Sequence, residues 1–134
     1  MQEEGKENKS RFGIVNFERR KSPRFSVNLP VEYSRVDPPS KSSAGHTENA
    51  SEGGLMLYLP EKLEVGQYLR VKLYFSSEPG LNSIKSLGQV AWAGIPFAKE
   101  GDYRYGMKFV DISPEDLNRL RDYLDDLARI ETPL

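Results

Sequence analysis

The sequence predicts a mainly β protein, a small antiparallel barrel that is followed by one amphipathic helix. Apolar and polar residues alternate along several short runs, which is typical of strands with one buried face. Turn residues separate these runs at even spacing, as they do in small barrels and sandwiches. Near the C-terminus the apolar residues recur at steps of three and four instead, which indicates a helix.

The strands are expected to follow one another from Phe25 onward. FSVNLPVEYS (25–34) alternates and predicts a half-buried strand, with Pro30 on its polar face at an edge or a bulge. Residues 37–49 are rich in Pro, Ser and Gly and predict a long exposed loop, with room for part of a second strand. Gly88 predicts a bulge or a close backbone approach in a later strand. The other strands are expected at 54–60, 67–75, 83–95 and 103–112, with turns at 64–67 and 76–82.

A single helix is predicted over residues 114–131. Ser113 is a good N-cap, and Pro114 is favoured at the first helical position. Apolar residues then recur on one face. This stripe either packs against the barrel or forms part of a homodimer seam, because its spacing also fits a heptad. Its members are Leu117, Leu120, Leu124, Leu127 and Ile130.

The charge balance argues against a nucleic-acid partner. Nineteen Lys and Arg residues against twenty Asp and Glu residues give the 134-residue chain a formal charge of −1. Proteins held to nucleic acid by bulk phosphate neutralisation are usually far more basic. The N-terminus does not resemble a signal peptide, and no apolar run is long enough to span a bilayer. We therefore expect a cytoplasmic protein without membrane insertion.

Residues for catalysis and metal binding are scarce. The chain has no cysteine and one histidine, His46, which is expected to be an exposed loop residue rather than a ligand. Disulfides, thiolate nucleophiles and multi-histidine metal sites are therefore excluded. No phosphate-binding glycine loop of the Walker or GxGxxG type occurs. We predict that the protein is not an enzyme and holds neither a metal nor a cofactor.

The first polar segment that can bind a ligand is ERRKSPR (18–24). It follows residues 1–18, which are expected to form a flexible tail whose short apolar stretch either docks on the body or stays disordered. Pro23 favours an extended conformation at the residue before it, so the loop is partly stiffened. Arg20 and Arg24 would then present two guanidinium forks, which match phosphate oxygens and also the O6/N7 edge of guanine.

The second polar segment is ENASEGG (48–54), just before a predicted strand. Asn49 and Ser51 can hydrogen bond the edge of a base, or else their own backbone in a simple turn. Gly53 and Gly54 permit positive φ angles and a close backbone approach.

Taken in order, the two segments resemble the signature of the PilZ domain family. Arg20-x-x-x-Arg24 is followed by a strand, and then Asn49-x-Ser51-x-x-Gly54 opens another strand. The likeness continues downstream and runs from about residue 19 to about residue 131. The matching stretches there are Gly88-Gln-Val-Ala-Trp92, Tyr105-Gly-Met-Lys-Phe109 and Ser113-Pro-Glu.

The resemblance implies a six-stranded antiparallel β-barrel with a C-terminal helix, in one domain over residues 19–131. It also implies a ligand, the bacterial second messenger cyclic di-GMP. Arg20 and Arg24 would contact guanine edges and phosphates. Asn49 and Ser51 would hydrogen bond a guanine, and Gly54 would let the chain pass close to the ligand. In this family a basic residue at the position of Arg19 tends to accompany two intercalated ligand molecules. Additional ligand contacts are expected from Lys21, Ser22, Gly53, Arg104 and Lys108, although the last two also fit an ordinary exposed strand.

The expected mechanism is ordering of the basic segment when ligand phosphates draw it toward the turn. The output would pass to an unidentified protein partner. Two other binding classes stay open. A PilZ-like adaptor would keep the barrel without binding nucleotide, and a single-stranded nucleic-acid binder would use surface aromatic residues. The tyrosines considered for such a surface are Tyr58, Tyr68, Tyr74, Tyr103 and Tyr105.

Overall fold

The computed structural model describes residues 23–77, 80–94 and 102–131, which form seven strands and one helix. The predicted tail over residues 1–18 and the four residues after it lie outside this description. The strands are β1 (Phe25–Ser26), β2 (Pro30–Arg35), β3 (Ser43–Ala50), β4 (Gly54–Leu59), β5 (Tyr68–Ser77), β6 (Gly80–Ala93) and β7 (Tyr103–Ile112), and helix α1 is Pro114–Glu131.

Six of the strands close an antiparallel barrel. Their order around it is β2, β5, β6, β7, β4 and β3, and β3 returns to pair with β2. The short strand β1 pairs with the end of β3, where Phe25 lies opposite Ala50. The predicted mainly β fold with a six-stranded barrel and a C-terminal helix is confirmed.

The barrel is filled by alternate residues of its strands and is covered by the helix. On β5 the four residues that were predicted to face inward, Leu69, Val71, Leu73 and Phe75, are all buried. Leu120 and Leu124 of α1 are buried in the same core, so the centre of the leucine stripe packs against the barrel of its own chain. At the start of the helix, the N–H of Asp116 donates to Oγ of Ser113 at 3.1 Å, which confirms the predicted N-cap.

The predicted strand at 25–34 is interrupted between β1 and β2. Over Val27–Leu29 the chain leaves the regular ladder, and Thr47 of β3 replaces the missing backbone partners. Its Oγ1 accepts a hydrogen bond from the N–H of Leu29 at 2.9 Å and donates to the carbonyl of Val27. Because Thr47 is only 1% exposed, these bonds satisfy backbone groups that water does not reach.

The predicted loop over residues 37–49 is shorter than expected, because β3 begins at Ser43, and the second strand for which this stretch left room is present. The strand lacks the large apolar residues by which strands are recognised. At Gly45 the neighbouring strand β4 leaves no room for a side chain. A Cβ at Gly45 would lie 2.5 Å from Cδ2 of Leu59 and 2.7 Å from the carbonyl oxygen of Tyr58. His46 is therefore a half-buried strand residue, with its ring centroid 5.3 Å from that of Tyr58, and not an exposed loop residue.

A bulge in β3 decides which side chains face outward. Thr47 and Ala50 are both buried, although residues three apart in a regular strand point to opposite faces. The register toward β4 shifts between Thr47 and Asn49, which leaves Glu48 as the extra residue. The side chains of Glu48 and Asn49 both bond to arginines outside the core.

The bulge predicted at Gly88 is present beside it, with the extra residue, Val110, on the partner strand β7. The register between β6 and β7 shifts between Leu87 and Gly88, and a Cβ at Gly88 would lie 2.3 Å from Sδ of Met107.

The described part of the chain holds no helix with both the length and the apolar content that a membrane crossing requires.

Replacing Thr47 should show how much the barrel depends on its hydroxyl. We expect Thr47→Val to lower the free energy of unfolding by about 2–4 kcal/mol, because two buried backbone groups lose their partner. Thr47→Ser keeps the hydroxyl and should lose only about 1 kcal/mol for the missing methyl. Urea unfolding of the three proteins measures both values. Equal stability of the valine variant and the unmodified protein would contradict the assignment.

Candidate functional site

The turn between β3 and β4 consists of three residues of the second polar segment, Ser51, Glu52 and Gly53, and is held by hydrogen bonds of its own. Oγ of Ser51, which is buried, accepts the N–H of Gly53 at 3.2 Å and lies 3.4 Å from the carbonyl oxygen of Gly54. The backbone N–H of Ser51 donates to that carbonyl at 3.0 Å. From β7, the N–H of Phe109 donates to the carbonyl of Gly53 at 2.9 Å. The turn is thus fixed both from within and by its neighbouring strand.

Gly54 is required for the contact between two strands. A Cβ at this position would lie 2.1 Å from the carbonyl oxygen of Met107 and 3.0 Å from Cα of Lys108. The close backbone approach that the sequence predicted is therefore an approach to β7. Neither Gly53 nor Gly54 uses the positive φ that glycine permits, since neither lies in the left-handed region.

A hydrogen bond joins the two polar segments. Nη1 of Arg24, the last residue of the basic segment, donates to Oδ1 of Asn49 at 3.1 Å. The two residues are 25 positions apart in the sequence, and the pairing of Ser26 with Asn49 brings them together. Of the predicted arginines, Arg24 is thereby placed at the turn, whereas Arg19 and Arg20, with Lys21 and Ser22, lie outside the described residues.

A cavity of about 300 Å³ opens beside the turn. Its two charged lining residues in the described structure, Arg24 and Lys108, are both positive. The remaining lining includes the turn itself and one aromatic side chain. Among these residues are Ser51, Gly53, Gly54, Trp92, Gly106 and Met107. The cavity therefore combines positive charge, a rigid polar turn and a flat apolar surface, which suits an anionic ligand that carries aromatic rings.

Trp92 lines this cavity, although in the sequence it stands out only as part of a strand pattern. It lies opposite Gly106 on β7, and a Cβ at Gly106 would lie 2.2 Å from Nε1 of Trp92. The indole thus rests directly on the backbone of β7, while 38% of the residue stays exposed. The available signal was the glycine in Tyr-Gly-Met-Lys-Phe (105–109), since a glycine in a central strand often marks a close approach.

Arg104 contacts both Glu48 and the ring of Trp92. Its Nε donates to Oε1 of Glu48 at 2.8 Å, and its Cζ lies 5.4 Å from the centroid of the Trp92 ring. The hydrogen bond to Glu48 raises the pKa of Arg104 above its ordinary value. This arginine therefore fixes the tryptophan by a cation–π contact, and its guanidinium already has an anionic partner.

A second cavity, of about 460 Å³, shares no residue with the first. Its lining mixes both signs of charge, with Arg70, Lys72 and Lys85 beside Glu32, Asp111 and Asp116. Among the residues that the structure describes, none of the predicted ligand contacts lines this cavity. Over the ranges 23–77, 80–94 and 102–131, no group of three or more His, Asp or Glu side chains is placed to hold a metal ion.

Alanine substitution of the two neighbouring glycines should separate their roles. Gly54→Ala is expected to lower the free energy of unfolding by about 1–3 kcal/mol, because its Cβ must push apart β4 and β7. Gly53→Ala is the matched control, since the nearest atom to its added Cβ is Oγ of Ser51 at 3.9 Å. Thermal and urea unfolding measure the difference. Equal effects of the two substitutions on the free energy of unfolding would contradict the claim that the contact between Gly54 and β7 excludes a side chain.

Solved structures of other proteins share this architecture. The inhibitor of motility of Bacillus subtilis (MotI/DgrA) matches with a TM-score of 0.70 at 19% identity over 84% of the chain, which spans only 54% of that protein. The PilZ domain of YcgR from Escherichia coli, solved with c-di-GMP, matches with a TM-score of 0.62 at 17% identity, covering 85% of this chain and 95% of that one. The K. pneumonia MrkH–c-di-GMP complex gives 0.63 at 21% identity, covering 84% and 53%.

At these identities the likeness establishes the fold. No curated protein matches the sequence. The model of the PilZ domain, however, matches residues 18–126, which is most of the chain and includes both polar segments, the barrel and the first part of the helix. The chain therefore belongs to the PilZ domain family.

Proposed function

We propose that the protein is a receptor for cyclic di-GMP that binds the nucleotide in the cavity beside the β3–β4 turn. The observation that carries the proposal is the hydrogen bond that joins the two polar segments, between Arg24, which lines the cavity, and Asn49 near the end of β3. The YcgR and MrkH structures were solved with c-di-GMP, which supports the choice of ligand. The ligand carries two negative phosphates and two guanines, and the cavity is lined by positive charge and an indole.

Different side chains of the site would bind different groups of cyclic di-GMP. The guanidinium groups of Arg20 and Arg24 each offer a planar pair of donors, which fits a phosphate or the O6/N7 edge of guanine. The amide of Asn49 can both donate and accept, as the edge of a guanine requires. Ser51 acts chiefly by holding the turn, because its hydroxyl is already used there. Lys108, which is paired with Gly54 across the strands, adds a point charge to the cavity lining.

Binding would order the basic segment and so create a signal. Arg24 is already at Asn49, and the ligand phosphates would draw Arg19 and Arg20 to the same place, because they remove the mutual repulsion of the three cations. Arg19 would support binding of two intercalated ligand molecules. In a bacterial cytoplasm, a downstream protein would then recognise the ordered segment.

Single-stranded nucleic acid is less well supported as a ligand. Tyr105, one of the five tyrosines considered for a stacking surface, is buried, and its hydroxyl donates to the carbonyl of Glu61 at 3.0 Å. The hydroxyl of Tyr74 donates to Glu32 at 2.7 Å, next to the other cavity. A continuous row of exposed aromatic rings, which such binding needs, is therefore not formed by these residues.

Titration calorimetry with cyclic di-GMP tests the proposal. We expect saturable binding, and we expect Arg20→Ala and Arg24→Ala to weaken it by about tenfold to a hundredfold, since each removes a bidentate contact. Arg24→Lys should also bind weakly, because an ammonium cannot form two parallel hydrogen bonds. The number of ligands bound per chain tests the role of Arg19.

GMP and cyclic di-AMP are the control ligands, and both should bind much more weakly. Absence of heat with cyclic di-GMP, together with an unchanged melting temperature at high ligand concentration, would contradict the receptor proposal. That result would favour an adaptor that keeps the barrel and binds a protein instead.

The fluorescence of Trp92 should report on the cavity directly. Trp92 is the single tryptophan of the chain and lines the cavity, so its emission carries no contribution from elsewhere. We expect cyclic di-GMP to change the intensity with the same midpoint as the calorimetric titration. Binding without any change in the emission would place the ligand away from this cavity.

A further inference from the structure

Glu52 introduces a negative charge into the turn that is proposed to bind an anion. It stands between Ser51 and Gly53, both of which line the cavity, but its own side chain does not. A carboxylate free to turn toward the ligand would repel the phosphates, and at such short range the repulsion is only partly screened by solvent. The site therefore needs a means of holding this charge away.

Arg121 of α1 provides it. Its Nε lies 2.8 Å from Oε1 of Glu52, and the side chains are 47% and 40% exposed. The helix that carries Arg121 is anchored to the barrel, because Leu120 and Leu124 are buried in the core. Arg121 does not line the cavity, so its contact is with the turn and not with the space where the ligand would lie.

We propose that Arg121 is a positioning residue for ligand binding, which neutralises Glu52 and holds its carboxylate away from the cavity. This inference rests on the proposed function. The pair contributes little to the stability of the fold, because exposed ion pairs are weak and the helix is anchored by its leucines. The effect of Arg121 on the ligand is thus indirect and passes through the charge of Glu52.

Calorimetry on Arg121→Ala tests the proposal. We expect the variant to bind cyclic di-GMP about three- to tenfold more weakly than the unmodified protein, since the released carboxylate repels the phosphates. Arg119→Ala is the matched control. It removes the same charge from the same helix, but its ion pairs are with Glu115 and Asp116 and not with the turn. Its affinity and melting temperature should stay close to those of the unmodified protein.

The double variant separates an indirect role from a direct or structural one. Glu52→Gln alone should bind at least as tightly as the unmodified protein. Combined with Arg121→Ala, it should restore the affinity, because the charge that Arg121 restrains is gone. The loss in Arg121→Ala should also shrink as salt is raised, which a merely structural defect would not do.

Each outcome bears on a different part of the account. If the unmodified protein binds and Arg121→Ala binds equally well, the positioning role is overturned while the receptor function stands. A defect that persists in the double variant would also overturn it, since Arg121 would then act on the ligand or the fold. If the unmodified protein does not bind cyclic di-GMP, the proposed function fails and this inference fails with it.

Discussion

Closure of the barrel through the hairpin of β3 and β4 is the constraint on which the rest of the structure depends. β3 returns to β2 on one side and meets β4 on the other, so the barrel is complete only if the chain reverses sharply between them. The reversal is made by Ser51–Gly54, where the serine hydroxyl ties the turn and Gly54 permits contact with β7. The turn that closes the barrel also borders the candidate site. The hydrogen bonds that hold this turn therefore also fix one side of the site.

This arrangement divides the site into two parts with different origins. The turn, Trp92 and Lys108 are carried by paired strands, and their positions follow from closure of the barrel. Arg24 comes from the segment before β1 and reaches the site through its hydrogen bond with Asn49. The helix adds a third element, because Arg121 holds Glu52 from outside the barrel. The strands thus supply a fixed part of the site, and the basic segment supplies positive charge. Such a combination suits the proposed binding of an anionic ligand.

Much of the fold could be predicted from the sequence, because alternation and helix signals are local. The inward residues of β5, the bulge at Gly88 and the helix over 114–131 all rest on such patterns. β3 was predicted only in part, since its alternation is broken at Glu48 and its residues are small, and both features arise from neighbours that are distant in sequence. The two polar segments were identified. For Trp92 the glycine at position 106 signals a close approach but not which side chain makes it, and the Glu52–Arg121 pair joins separate elements that no local pattern connects.

An NMR titration of the ¹⁵N-labelled protein with cyclic di-GMP tests the central claim most directly, because it locates the ligand on the described surface. We expect the largest shifts on Arg24, Asn49, Gly53 and the indole N–H of Trp92, and unchanged signals from Lys72 and Lys85 at the cavity of about 460 Å³. We also expect Ser51–Gly54 to keep their hydrogen bonds, with slow amide exchange before and after binding. Shifts centred on Lys72 and Lys85, with Asn49 and Trp92 unaffected, would contradict the central claim.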